Sequence, residues 1–204
     1  MRSKVLLATR SAGKLEELAP LFADAGIEAV TLDQAGIAES RAEDGLEVFE
    51  TFEENALAKA RYFRARAPGF AVIADDSGLE VAALGGAPGV RTKRFSGRDD
   101  LRGQELDDAN NATLLLALEG AADRCARYVC VAAVVDEAGE RTFRGETEGE
   151  ILFAPSGDGG FGYDPLFLSD ELGVTFAEVG RTDKERVSHR GRAFSALLRA
   201  MREG

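Results

Sequence analysis

The stretch Val5–Leu32, VLLATRSAGKLEELAPLFADAGIEAVTL, decides the fold class. Val5–Ala8 is a short apolar run without alternation, the pattern of a strand buried on both faces. Ser11-Ala12-Gly13 reads as a turn. From Lys14 to Asp24 the apolar residues Leu15, Leu18, Leu21 and Phe22 share the spacing of one helix face. Gly26 ends that helix, and Ile27–Leu32 reads as a second strand. Strand, glycine-containing turn, helix and strand predict an α/β protein.

Reading outward, Asp33–Glu50 is polar and acidic and reads as a loop with room for a short helical turn. Thr51 with Glu54 three residues on is a capping-box pattern, so a helix should run from Phe52 to about Arg66. Pro68-Gly69 stops it. Phe70–Ala74 is an apolar strand that ends at Asp75-Asp76-Ser77-Gly78. Leu79–Leu84 is apolar again, and the loop Gly85–Gly89 and the basic cluster Arg91, Lys93 and Arg94 follow. Asp107–Leu118 has helical spacing, with Leu114, Leu115 and Leu118 on its apolar side. Arg127–Asp136 and Arg141–Thr147 flank a hairpin turn at Glu137–Glu140. A Gly-rich loop, Pro155–Gly160, leads to a strand over Phe161–Leu168, and Val187–Arg202 reads as a final helix. No repeat or linker interrupts the pattern, so residues 1–204 read as one domain with a mixed sheet and flanking helices.

Composition narrows the function. The chain has 204 residues with 45% hydrophobic and 30% charged, enough for a core, which excludes disorder as the main state. Its net charge of −11 gives no general attraction to nucleic-acid backbones. A small anionic ligand would need a local cationic pocket or a metal ion. The longest apolar run, Val129–Val135, is far short of a membrane span of about 20 residues. The basic start Met1–Lys4 precedes too short an apolar run for a signal peptide. Cys125 and Cys130 stand five apart in a strand and face opposite sides, so they read as ordinary buried thiols in a reducing cytoplasm.

Several residues break the local pattern. Lys59 falls on the apolar stripe of Phe52, Ala56 and Phe63, with Asn55 at its edge. Either its stem packs and the ammonium reaches water, or the ammonium points into a polar cleft toward phosphate or carboxylate. Asp75 and Asp76 point to opposite sides of a strand end. Either they form a turn, or Asp76 holds Mg²⁺ or takes a proton from water, since Mg²⁺ commonly takes one or two carboxylates plus phosphate oxygens. Thr9–Lys14 places hydroxyls, a glycine and a lysine at a strand-to-helix junction, either a tight turn with a solvated lysine or a place where backbone N–H groups favour an anion. Phe161-Gly162-Tyr163-Asp164 offers aromatic faces on which a base can stack, or core aromatics in a strand. His189 is the single histidine, so a multi-histidine metal site is excluded, and no G-x-S-x-G elbow is present to serve a triad. Arg190 lies on the apolar side of its helix near Phe194 and needs a partner, either a structural carboxylate or a ring carbonyl.

Taken together these motifs resemble the inosine triphosphate pyrophosphatase family, enzymes of the deaminated purine nucleotides ITP, dITP and XTP. The resemblance is carried by Ala8-Thr9 through Gly13-Lys14, Thr51–Ala60, Ala74–Val81, Gly86–Val90, Gly159–Pro165, and Lys184 with Ser188–Gly191. It implies an elongated fold of two lobes around a central mixed sheet, with the active-site cleft between them. It also implies Mg²⁺-dependent hydrolysis of a purine nucleoside triphosphate to the monophosphate and pyrophosphate, by a cytoplasmic homodimer that binds neither membrane nor nucleic acid. By the same resemblance Asp76 would be the general base and a metal-linked carboxylate, supported by Asp75. Glu47 would be the second metal carboxylate, with Glu43, Asp44 and Glu50 as the other acids of that stretch. Thr9, Ser11, Lys14, Asn55, Lys59 and Ser77 would hold the triphosphate. Phe161 would stack on the base, Gly162, Tyr163 and Asp164 would line its pocket, and Lys184, His189 and Arg190 would face its edge. The family usually has Asn at the position of Ser11 and a small residue at that of Arg10. The rivals are a pyrophosphatase of other modified nucleotides and a nucleotide-binding regulatory protein without turnover.

Overall fold

The opening apolar run forms strand β1 (Lys4–Leu7). The computed structural model describes residues 4–203, so Met1–Ser3 of the basic start and Gly204 lie outside the described residues. Helix α1 (Ala12–Asp24) starts two residues before the apolar spacing does, because Ser11 caps it. The Ser11 Oγ accepts the Lys14 N–H at 3.4 Å, so Ser11-Ala12-Gly13 is the helix cap and first turn rather than a separate turn. Gly26, at φ +70°, closes the helix in a conformation that costs other residues energy. Strand β2 (Glu28–Thr31) then pairs parallel to β1.

The acidic stretch contains one short 3-10 turn, Arg41–Gly45, capped by Ser40. Helix α2 (Phe52–Arg64) begins where the capping box predicts: Thr51 Oγ1 accepts the Glu54 N–H at 3.2 Å. Strand β3 (Ala71–Val81) corrects the sequence reading, because it passes through Asp75-Asp76-Ser77-Gly78 without a turn. The strand continues there as an interior strand of the sheet, and the Asp75 and Asp76 carboxylates meet donors of their own. Helix α3 (Gly103–Ala117) and the long strands β4 (Cys125–Asp136) and β5 (Gly139–Ile151) follow.

Two further expectations change. Of Phe161–Leu168, only the last two residues join a strand, β6 (Phe167–Ser169). The preceding residues turn because the Tyr163 carbonyl accepts both the Leu166 and Phe167 N–H groups, at 2.9 and 3.0 Å. The final helix is two helices, α4 (Arg181–Val187) and α5 (His189–Glu203), separated by Ser188 in an extended conformation at ψ 150°. Val187 therefore ends one helix instead of starting the next.

The six strands form one sheet in the order β2-β1-β3-β4-β5-β6. β1 runs parallel to β2 and β3, while β5 and β6 are antiparallel, which makes the sheet mixed as predicted. The chain divides into two compact units, and β3, β4 and β5 contribute to both. The first comprises Met1–Asp76, Cys130–Gly145 and Arg190–Gly204. Its core packs Val5, Leu18, Phe22, Ile73, Val134 and Phe194, with the Phe22 and Phe194 rings edge to face at 6.0 Å. The second comprises Ser77–Val129 and Glu146–His189, around Leu79, Leu114, Tyr128, Ile151, Phe167 and Phe176. Both cysteines are free; Cys130 is buried as expected, but Cys125 is exposed where a buried thiol was expected.

Candidate active site

In the first unit the chemistry gathers on β3. Asp75 is buried, and its carboxylate meets Lys14 Nζ at 2.9 Å and Arg190 Nε at 3.4 Å. Arg190, also buried, is held at its other end by Glu17 of α1. Burial alone raises the Asp75 pKa, but Lys14, Arg190 and Lys59 outweigh it and hold the carboxyl well below the usual range. The Cys130 Sγ lies 3.8 Å from the same carboxylate. Its thiol is pushed far up by burial and then by the Asp75 charge, so it stays protonated.

Asp76 has the opposite balance. Its Oδ2 accepts the Asn55 Nδ2–H at 3.0 Å. Burial raises its pKa, and the nearby Glu47 carboxylate adds to that; Lys59, Lys14 and Asn55 oppose them and do not prevail. Adjacent carboxyls are thus driven apart, one firmly ionised and one with enhanced basicity, the pattern by which acid–base roles are assigned.

The Lys59 ammonium meets protein oxygens rather than water. The residue is buried, its Nζ donates to the Asp75 carbonyl at 2.7 Å, and it pairs with the Glu47 carboxylate. Burial lowers its pKa, yet Glu47, Asp75 and Asp76 bring the net shift upward, so it remains an ammonium. Asn55 fixes the Glu47 loop from the same helix: it accepts the Phe49 N–H at 2.9 Å and donates to the Phe49 carbonyl at 3.2 Å. Glu43 is engaged elsewhere, on Arg10 at 3.1 Å and on the Ser40 N–H at 3.0 Å. Arg10 also reaches Asp33 at 3.0 Å and the Ile37 carbonyl at 3.0 Å, so it ties down the long acidic segment. Thr9 Oγ1 accepts the Ser11 N–H at 3.2 Å. The two departures from the family pattern therefore have local structural duties.

The second unit holds the aromatic group. Asp164 and Lys184 are buried and paired at 2.5 Å. Asp164 also accepts the Phe161 N–H at 2.8 Å and lies 3.4 Å from the Tyr128 hydroxyl. A Cβ on Gly160, at φ +72°, would come within 2.2 Å of the Asp164 carboxylate, so only glycine fits. The Lys184 ammonium lies 5.1 Å from the Phe161 ring centre. Tyr163 is buried, with its hydroxyl on the Thr92 carbonyl at 2.8 Å. His189 is buried and stacks on Tyr128 at 4.5 Å and 7°. Ser77 follows Asp76 in β3 but belongs to this unit, half-buried.

Within the first unit the structure brings together Lys14, Glu47, Asn55, Lys59, Asp75, Asp76 and Arg190. Within the second it gathers Phe161, Asp164 and Lys184. His189 stacks on Tyr128 within the second unit, and Arg190 pairs with Glu17 and Asp75 within the first. Sequence reading missed Glu17 and Tyr128 as partners of these groups. Glu17 carried a signal, since it lies one helical turn beyond Lys14; Tyr128 is set by tertiary packing.

A mixed-sheet α/β protein with a buried aspartate pair among lysines and an arginine is the class these features define. The chain belongs to the Ham1 family, whose profile matches residues 5–200. It is similar to the dITP/XTP pyrophosphatase of Syntrophobacter fumaroxidans, 46% identical over 196 residues that span 96% of this chain and 80% of that protein. The dITP/XTP pyrophosphatase of Yersinia pestis is 44% identical across 98% of each chain. A HAM1 protein from Coxiella burnetii, 34% identical, superposes with a TM-score of 0.84 over 99% of this chain and 100% of that one.

Proposed function

We propose that the chain hydrolyses deaminated purine nucleoside triphosphates (ITP, dITP and XTP) to the monophosphate and pyrophosphate, and so cleanses the nucleotide pool. The observation that carries this reading is the split aspartate pair. Asp75, locked by Lys14 and Arg190, keeps its charge, while the upward-shifted Asp76 is suited to take a proton from water. The names of the curated relatives support the substrate class.

Lys14 and Lys59 would meet the phosphates, with Thr9, Ser11, Asn55 and Ser77 as hydrogen-bonding groups around them. Their charge would offset that of the leaving pyrophosphate. Glu47 and Asp76 would hold Mg²⁺. Two hard oxygen donors fit that ion, which takes one or two carboxylates and completes its shell with phosphate oxygens. The Glu47 charge already raises the Asp76 pKa, so the two carboxylates repel and a cation between them is favoured. Among the described residues no group of three or more His, Cys, Asp or Glu forms an all-protein cage. When bound, the ion would supply Lewis-acid stabilisation of phosphate charge.

In the second unit Phe161 would stack on the base, with Gly162, Tyr163 and Asp164 lining its pocket. Donors on Lys184 and His189 would meet the 6-carbonyl of hypoxanthine or xanthine and oppose the 6-amino group of adenine, a mismatch that discriminates strongly. Arg190 is assigned to Asp75 rather than to the base, on its contacts with Glu17 and Asp75. The reading extends to a cytoplasmic homodimer.

The test is pyrophosphate release with Mg²⁺ from ITP, XTP, ATP, GTP, CTP and UTP at equal concentration. Preference for ITP and XTP is expected. Equal turnover of all six would discard the base assignment, and no turnover of any would discard the enzyme.

A further inference from the structure

Helix α3 contributes nothing to the chemistry above, yet it grips the loop that carries Phe161. Asp107 Oδ2 accepts the Gly162 N–H at 2.8 Å, and Asn111 Nδ2 donates to the Gly162 carbonyl at 3.0 Å. Residues four apart on one helix face thus hold both polar groups of one glycine. Gly162, at φ +63°, has no side chain with which to fix itself. The adjoining Asn110 anchors the same helix: it accepts the Ser96 N–H at 2.8 Å and donates to the Lys93 carbonyl at 3.2 Å.

Asn111 carries a second signal. It is 8% exposed, and its Oδ1 is buried without a hydrogen-bond partner. A buried amide that makes one bond and leaves an acceptor unmet is a poor core residue. An apolar side chain of similar shape would pack there at lower cost. Its presence therefore points to the Gly162 peptide as its task. Asp107 agrees, being half-buried with its carboxylate on that glycine.

We infer that Asp107 and Asn111 are positioning residues that set the plane of the Phe161 ring for the purine. The inference rests on the proposed stacking of the base on Phe161. With the Phe161 N–H held by Asp164 and both sides of Gly162 held by α3, the backbone around the ring is constrained from three directions. Base stacking depends on ring orientation, and phosphate binding does not.

The experiment compares Asp107→Ala, Asn111→Ala, Asn111→Leu and Asp107→Asn with the wild type, by steady-state kinetics on ITP, melting temperature and binding of inorganic tripolyphosphate. The alanine variants are expected to raise KM for ITP about five- to twentyfold, with kcat within about threefold and tripolyphosphate affinity unchanged. Asp107→Asn keeps an acceptor for the Gly162 N–H and should restore KM. Asn111→Leu should raise KM while melting no lower than the wild type, a split that a purely structural role would not give. Unchanged KM in both alanine variants overturns the inference. Parallel loss of ITP and tripolyphosphate binding also overturns it. A wild type inactive on every purine triphosphate refutes the underlying reading, and this inference with it.

Discussion

Replacing Asp76 with Asn should abolish turnover and leave the fold at least as stable. The amide keeps the shape, and its oxygen can still accept the Asn55 Nδ2–H that the carboxylate accepts at 3.0 Å. Lys59 is not orphaned, since Glu47 and the Asp75 carbonyl remain its partners. The change therefore removes charge and basicity and little else. Loss of a general base costs about 100- to 10,000-fold in rate, or roughly 3–5 kcal/mol of barrier. Stability moves the other way. The folded-state pKa of Asp76 lies above its unfolded value, through burial first and Glu47 second, so its ionisation opposes folding. That penalty is absent below the unfolded pKa of about 3.9, grows as pH rises through the folded value, and is complete above it. Asp76→Asn removes it, so melting near pH 7 should match or exceed wild type, and any gain should shrink toward pH 4. Pyrophosphate release and thermal melts at both pH values decide the matter. Turnover within tenfold of wild type would refute the base assignment, and a clearly lower melting temperature near pH 7 would refute the electrostatic reasoning.

Arg190→Met leaves Glu17 and the buried Asp75 short of a cation and should cost about 3–5 kcal/mol in urea unfolding; a loss under about 1 kcal/mol would contradict the buried network. Gly160→Ala combines a left-handed backbone with a clash on Asp164, so a loss of about 1–3 kcal/mol and a raised KM for ITP are expected from melts and kinetics. Thiol titration should find Cys125 reactive in the native protein and Cys130 only after unfolding, because the latter is buried and strongly shifted upward.

The α/β opening, the α2 cap and the mixed sheet were legible because local rules govern them: a capping box, apolar spacing and glycine stops. Lys59 was legible as an anomaly, since a lysine on an apolar stripe demands a partner, but which partner was not. The turn read at Asp75–Gly78 failed for a nonlocal reason. The strand runs on because it lies between β1 and β4 in the sheet, and the cations that meet the Asp75 carboxylate, Lys14 and Arg190, come from far away in the chain. The strand read over Phe161–Leu168 failed similarly, since apolar density there reflects packing while Asp164 and Tyr163 bend the backbone. Choosing Glu47 among four acids rested on resemblance. In the structure Glu43 is bound to Arg10 and Glu47 to Lys59.

Asn55 spends its entire amide on three groups: the N–H and C=O of Phe49 and one oxygen of Asp76. Because two of these belong to a peptide backbone, no ordinary point substitution at position 49 can erase them. The side chains of Val48 and Phe49, 62% and 42% exposed, are correspondingly free to change without disturbing these bonds. Only proline at position 49, which lacks the N–H, would be selected against on this ground. Insertions should be purged between Glu47 and Thr51, where spacing is what the Asn55 contacts require.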